Sequence, residues 1–127
     1  MHIPEKLRYT SEHEWIRLEG DRAVIGITDY AQDQLGDIVF VELPDVGDAV
    51  ETMGVFGAVE AVKTVSDLFS PLAGEISDVN IKLELHPEYV NEDPYGNGWM
   101  IKLKIVNPDQ YNGLLNAQGY LDLIGEE

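Results

Sequence analysis

A single lysine stands alone in a strongly acidic stretch of the sequence. Between Arg22 and Lys82 the only basic residue is Lys63, whereas eleven aspartates and glutamates fall in the same interval. Because apolar β-type segments flank it at 55–62 and 64–69, we expect Lys63 at the tip of a hairpin. An amine presented at a tip has the geometry that a modifying enzyme would require. From position alone, an ordinary solvated turn lysine is the commoner interpretation.

The other reactive side chains do not form a recognisable enzyme site. His2, His13 and His86 lack the spacing of metal ligands, and His13 is interpreted as structural. The chain has no cysteine, nucleotide-binding loop or nucleophile elbow. An enzyme could use Lys63 as a Schiff-base nucleophile or Glu60 and Asp67 as an acid/base pair. That alternative needs a desolvated or cationic pocket, and no other basic residue lies nearby in sequence.

Length and charge narrow the class of protein. A chain of 127 residues suits one domain spanning 1–127. The net charge of −16 argues against nucleic acid and anionic membranes as partners, and it favours a monomer. Residues 1–6 lack the patterns of a signal peptide or presequence, so we expect a cytoplasmic protein, or one of the mitochondrial matrix if a presequence has been removed.

The elements that position Lys63 are mostly strands. Residues 10–18 and 23–27 predict an opening hairpin, and strict alternation predicts a strand over 99–106. A long connection over 86–98 is expected to contain a helical turn beginning at Pro87. The remaining extended segments are predicted at 37–43, 50–62 (interrupted by Gly54 and Gly57), 64–69 and 74–83.

Two helices are predicted. The first has Asp29 as its N-cap, Gln32 three residues later and Gly36 as its stop. The second begins at Pro108 and stops at Gly119. Together with the strands they predict a mainly β fold of two antiparallel sheets in a sandwich, with a short internal helix and a C-terminal helix.

Four stretches of the sequence carry the motifs of a known protein family. They read YTSEHEW at 9–15, VIGITDYAQDQLGDIVFVELP at 24–44, GAVEAVKTVSDLFSPLAGEI at 57–76, and VNEDPYG at 90–96 leading into Gly98-Trp99. They resemble the H-protein family of the glycine cleavage system, and residues 57–76 resemble its lipoylation segment. The resemblance covers most of the chain from residue 9 to about 104 in the family's order and spacing. The resemblance implies a barrel-sandwich hybrid fold like that of lipoyl domains.

The resemblance also implies a function and its partners. Lys63 would carry lipoate through an amide bond, attached by a lipoate ligase or a lipoyl/octanoyl transferase. The chain would be a non-catalytic shuttle for an aminomethyl group, serving a glycine decarboxylase (P protein), an aminomethyltransferase (T protein) and a dihydrolipoamide dehydrogenase (L protein). Glu12, Glu14 and Asp67 would line the cleft in which the loaded arm docks. Glu60 and Gly74 would be recognised by the lipoylating enzyme.

The sequence departs from the family pattern in one informative place. Ala61 stands where serine usually follows the glutamate. This difference could alter how the lipoylating enzyme binds the turn, but it leaves the attachment lysine in place. A biotin carrier is the nearest rival, but that family flanks its lysine with methionines, and here the flanks are Val62 and Thr64. A relay role, in which an H-like protein passes lipoyl groups to other complexes, stays open at this point.

Overall fold

The computed structural model describes residues 2–125. Nine strands and five helices follow one another along this part of the chain. They are β1 (Arg8–Tyr9), β2 (Glu14–Glu19), β3 (Arg22–Ile27), α1 (Asp29–Leu35), β4 (Ile38–Glu42), β5 (Ala49–Val50), β6 (Val55–Ala61), β7 (Val65–Phe69), β8 (Gly74–Val79), α2 (Lys82–Leu85), α3 (Tyr89–Glu92), β9 (Ile101–Ile105), α4 (Asp109–Asn112) and α5 (Ala117–Ile124). In this range no helix has both the length and the apolar character needed to cross a membrane.

Two antiparallel sheets pack face to face, which confirms the predicted fold class. The larger sheet has the order β1-β2-β3-β9-β8-β5 and the smaller has the order β4-β6-β7. One apolar cluster contains Ile16 and Ile25 from the larger sheet together with Val41, Val59 and Leu68 from the smaller. The inward side chains of both sheets therefore share one core, as in other sandwiches.

The opening hairpin forms as predicted from 14 onward, but its first strand starts late. β2 pairs with β3 from Glu14 to Glu19, whereas residues 11–13 make a turn. The N–H of His13 donates to the carbonyl of Thr10 at 3.1 Å, and His13 has a φ of 69°. A positive φ is incompatible with a regular strand, so the extended prediction for 10–13 is wrong.

Helix α1 lies where it was predicted, with a different N-cap. The side-chain oxygen of Thr28, not that of Asp29, accepts the N–H of Ala31 at 3.1 Å. The Gln32 amide donates to the Asp29 carboxylate at 2.8 Å instead of closing a capping box. Gly36 ends the helix with a φ of 81°, a conformation that favours glycine.

The extended run at 50–62 is two strands with a turn between them. Met53 has a φ of 61° in that turn, and β6 starts only at Val55. The predicted irregularity at Gly57 is confirmed, because the β6–β7 register shifts there. A Cβ on Gly57 would lie 2.1 Å from the carbonyl oxygen of Glu42 on β4. Only glycine allows the two backbones to approach so closely.

The strand predicted over 74–83 ends earlier, at Val79. Asn80 is buried, and its side-chain amide donates to the carbonyls of Asn97 and Trp99, both at 2.7 Å. These bonds turn the chain out of the sheet into α2, so the strand prediction for 81–83 is wrong. The long connection contains α3, and the predicted turn at Pro87 is confirmed by the bond from the Val90 N–H.

The C-terminal region contains two helices instead of one. α5 runs through Gly119, so the prediction that Gly119 stops a helix is wrong. Asn116 explains the difference: its side-chain oxygen accepts the Gly119 N–H at 2.8 Å and caps the start of α5. Tyr120 of α5 then packs with Tyr9 and other apolar side chains in a second core cluster.

Candidate functional site

Lys63 lies at the tip of the hairpin between β6 and β7, as the sequence predicted. Glu60 and Val65 are the last cross-strand pair, and the Ala61 N–H donates to the Thr64 carbonyl at 2.7 Å. The tip is also tied to the chain before β4, because the Val62 N–H donates to the Asp37 carbonyl at 3.1 Å. Backbone bonds on both sides therefore hold a tip whose lysine side chain is exposed.

The Lys63 side chain lies against the C-terminal end of α1. A Cβ on Gly36 would lie 3.3 Å from Lys63 Cε, so the missing side chain leaves room for the lysine stem. A shallow depression of about 310 Å³ is bordered by Leu35, Gly36, Asp37, Val62 and Lys63. Within residues 2–125 the structure records no ion pair for the Lys63 amine. The amine is accessible for acylation.

A second cavity, of about 230 Å³, brings together the three carboxylates expected at a docking cleft. We call it the carboxylate cleft, and Glu12, Glu14 and Asp67 all line it. The start of β2, one side of α1 and the middle of β7 form its walls. Its other lining residues are His13, Ile27, Tyr30, Ala31, Gln34, Leu35, Val59, Ser66 and Leu68.

Glu14 is the buried carboxylate of this cleft. Its relative exposure is 1%, and one carboxylate oxygen accepts the Thr10 hydroxyl at 2.6 Å. The other oxygen accepts the Phe69 N–H at 3.3 Å. Burial raises the pKa of Glu14 to about 7, the two hydrogen bonds oppose that rise, and the nearby charge of Glu12 adds to it. No ion pair to Glu14 is present in the described part of the chain.

Thr10 holds the turn that carries Glu12 and Glu14, a role that was not predicted from the sequence. The Thr10 hydroxyl oxygen accepts the N–H groups of both residues, each at 3.2 Å. With its oxygen accepting from the backbone, the hydroxyl directs its own proton to the Glu14 carboxylate. A threonine followed two and four residues later by acids is the local signal that could have indicated this turn.

Glu12 and Asp67 stand at the exposed rim of the cleft. Both are solvent-exposed, and Asp67 pairs with Ala58 across β6 and β7. The cleft therefore has one carboxylate in its wall and two at its mouth. Carboxylates arranged in this way attract a cationic group and weaken the binding of an anion.

His13 connects the cleft to the C-terminal helix. Its Nδ1 lies 2.8 Å from the Tyr120 hydroxyl, which in turn lies 2.8 Å from the Thr28 hydroxyl. Burial lowers the pKa of His13, and it raises the pKa of Tyr120 to about 12. Both side chains are therefore neutral near pH 7. The structural interpretation of His13 agrees with these contacts, but its place in the cleft wall was not foreseen.

Glu60 and Gly74 occupy different sheets. Glu60 is exposed on β6, one cross-strand pair from the tip, between Phe40 of β4 and Val65 of β7. Gly74 is buried at the start of β8, where a Cβ would lie 2.2 Å from the carbonyl oxygen of Lys104. Close sheet packing therefore accounts for glycine at 74, whatever its role in recognition.

Comparisons with known proteins agree in family and fold. The family model described as glycine cleavage H-protein matches residues 7–127. The glycine cleavage system H protein of Bacteroides fragilis is 58% identical over 120 residues, covering 94% of this chain and 95% of that protein. The protein of the same description from Staphylococcus carnosus is 52% identical over 126 residues, covering 99% and 100%. The crystal structure of a glycine cleavage system H protein from Mycobacterium marinum has a TM-score of 0.89 at 40% identity, covering 97% of this chain and 99% of that one.

Proposed function

This chain belongs to the glycine cleavage H-protein family, and from that premise we propose that Lys63 is the covalent attachment site of its lipoyl group. The chain is a lipoyl shuttle of the glycine cleavage system. It is a single carrier domain that catalyses no reaction itself. It works in the cytoplasm, or in the mitochondrial matrix if a presequence is removed. The observation that carries the proposal is the exposed lysine at a hydrogen-bonded hairpin tip.

The partners follow from the chemistry of the system. The lipoyl group supplies a disulfide that can be opened to accept a one-carbon amine and later be re-formed by oxidation. The chain serves the P protein, which decarboxylates glycine, the T protein, which passes the one-carbon unit to a folate, and the L protein, a flavin dehydrogenase. A lipoate ligase or a lipoyl/octanoyl transferase forms the amide at Lys63.

The hairpin supports this role through reach and rigidity. An amide at Lys63 removes the positive charge of the side chain and lengthens it into a flexible arm. The backbone bonds of Ala61 and Val62 keep the base of that arm in a fixed place. A fixed base with a flexible arm lets different active sites meet the same reactive end.

The carboxylate cleft is the proposed resting place of the loaded, cationic arm. Glu14 lies in its wall, with Glu12 and Asp67 at its rim. One carboxylate about 4 Å from an ammonium contributes ~1 kcal/mol in bulk water and roughly 4 kcal/mol at an effective dielectric of 20. Because Glu14 is buried, its interaction with an ammonium is nearer the value for a dielectric of 20. The walls of the carboxylate cleft also limit the access of water to a labile amine linkage.

An intact-mass measurement tests the attachment site. The purified chain, incubated with lipoate, ATP and a lipoate ligase, is expected to gain roughly 188 Da. Lys63→Arg keeps the charge but should abolish the gain, whereas Lys82→Arg in α2 should leave it complete. Full modification of the Lys63→Arg chain would refute the assignment. Glycine-dependent exchange of carbon dioxide with a P protein then separates the glycine pathway from a relay role.

A further inference from the structure

The outer face of the smaller sheet carries an exposed apolar row beside Lys63. Phe40, Glu60 and Val65 are cross-strand neighbours, so their side chains share one face. Phe40 is 53% exposed, Val65 is 63% exposed, and Val62 at the tip is 75% exposed. We call these four residues the tip face. In this row the Glu60 carboxylate lies between the apolar side chains of Phe40 and Val65, at the last cross-strand pair before the Lys63 tip.

The apolar surface continues from Phe40 into a groove of about 580 Å³. Val46 and Ile81 line this groove and are each more than 60% exposed. Glu42 and Glu84 lie along it. Clustered exposed apolar side chains with a charged rim are typical of protein interaction sites. The acids in and beside the groove favour a partner that brings basic residues.

The length of the lysine side chain indicates which partner must contact this surface. An extended lysine side chain places Nζ only about 6 Å from its Cα. An enzyme that acylates the bare amine must therefore bring its active site against the tip and the first cross-strand pairs. The finished lipoyl-lysine arm roughly doubles that reach. Enzymes that act on the end of the arm can do so from farther away.

We propose that the tip face is the docking surface for the enzyme that attaches the lipoyl group, an inference that rests on the proposed function of Lys63. The enzyme presents an apolar surface to Phe40 and Val65 and a lysine or arginine to Glu60. In the transfer step the deprotonated Lys63 amine attacks the carbonyl of an acyl adenylate. The N–C amide bond forms, the C–O bond to phosphate breaks, AMP leaves, and the amine proton passes to solvent.

Acylation kinetics on matched variants test the docking surface. Phe40→Thr and Val65→Thr remove apolar area while keeping residues that suit strands. Each is expected to raise the KM of lipoyl transfer about tenfold with little change in kcat, the loss expected for an apolar anchor at an interface. Val55→Thr is the matched control. It makes the Val→Thr change at an exposed site on β6, roughly 25 Å along the strand from Lys63, and should leave KM unchanged.

A second measurement separates this enzyme from the partners that meet the finished arm. All variants are driven to full lipoylation with excess ligase, and the L protein is then assayed on the dihydrolipoyl form. We expect Phe40→Thr and Val65→Thr to match the unmodified sequence in this assay. Equal slowing in both assays would overturn the assignment of the tip face to the attaching enzyme.

The outcomes distinguish the two proposals. If the unmodified sequence gains no mass at Lys63, the proposed function fails. If it is acylated and the tip-face variants have unchanged KM, only the docking surface fails. If sedimentation shows a dimer that Phe40→Thr dissociates, a second copy of the chain occupies the face and the docking inference is overturned. Circular dichroism and thermal midpoints establish that each variant is folded before its KM is compared.

Discussion

Glu14 is the buried carboxylate of the proposed docking cleft. With a pKa of about 7, its carboxyl is about half ionised near neutrality while the cleft holds no cation. A docked ammonium favours the ionised form, so docking releases a proton from the protonated fraction. Binding of the cation should therefore strengthen as the pH rises through 7. The hydroxyl of Thr10 contributes by stabilising the same ionised form.

The role of Thr10 can be measured without any bound group. Thr10→Val removes the hydroxyl and keeps the shape, so the pKa of Glu14 should rise to about 8, since a hydrogen bond to a charged group contributes about 1.5 kcal/mol. Carbon-13 NMR titration of the Glu14 carboxyl measures this directly. Thr10→Ser retains a hydroxyl and should restore a pKa near that of the unmodified sequence. Equal pKa values in the Val and Ser variants would contradict the assigned role.

At the scale of elements, the Lys63 hairpin depends on its contact with β4. β6 lies between β4 and β7, and its approach to β4 at Gly57 is too close for any side chain. The same strand carries Glu60 and leads into Lys63. A local feature near one end of β6 therefore helps to set the position of the tip at the other.

Gly57→Ala tests this close approach. The added Cβ would stand 2.1 Å from the Glu42 carbonyl oxygen, and backbone on a neighbouring strand cannot move aside cheaply. We expect a loss of about 3 kcal/mol in the free energy of unfolding, measured by urea denaturation. Gly113→Ala is the matched control. The nearest atom to its Cβ would be 3.6 Å away, so its effect should be small. Similar losses in both variants would refute the steric explanation.

At the scale of the whole molecule, the acidic side chains determine the net charge, and one of them, Glu14, is buried. The chain has 24 acidic and 8 basic residues, so its surface favours basic partners. Lipoylation of Lys63 would make the net charge one unit more negative than −16. Against this acidic surface, Glu14 is unusual because it is acidic and buried.

The burial of Glu14 makes stability depend on pH with a definite sign. Its pKa rises from an ordinary 4.5 to about 7 on folding, so the folded chain binds the proton more tightly. This contribution is complete below pH 4.5 and is lost as the pH rises through 7, a change of about 3 kcal/mol. Glu14→Gln cannot titrate at this position, so it should not lose this contribution. Relative to the unmodified sequence, its free energy of unfolding should therefore rise by about 3 kcal/mol between pH 4.5 and 8. Both free energies are measured by urea denaturation, and a difference between the two chains that stays constant from pH 4.5 to 8 would contradict the prediction.

Local patterns in the sequence determined the hairpin of Lys63, the position of α1 and the turn at Pro87. Each depends on residues a few positions apart, so turn chemistry and periodicity are sufficient to predict them. The same local rules failed at Gly119 and in residues 81–83. There the caps and side-chain bonds of Asn116 and Asn80 override propensity.

The electrostatics of the carboxylate cleft depend on long-range contacts that the sequence does not reveal. Motif resemblance could nominate Glu12, Glu14 and Asp67, but in the sequence all three look like ordinary members of an acidic chain. Glu14 is buried at the start of β2, where this strand pairs with β3, and its second hydrogen-bond donor, the Phe69 N–H, comes from 55 residues away. The contact of His13 with Tyr120 spans 107 residues. Burial and long-range donors exist only after the two sheets and α5 have packed, and they set the pKa values on which the proposed binding of a cation depends.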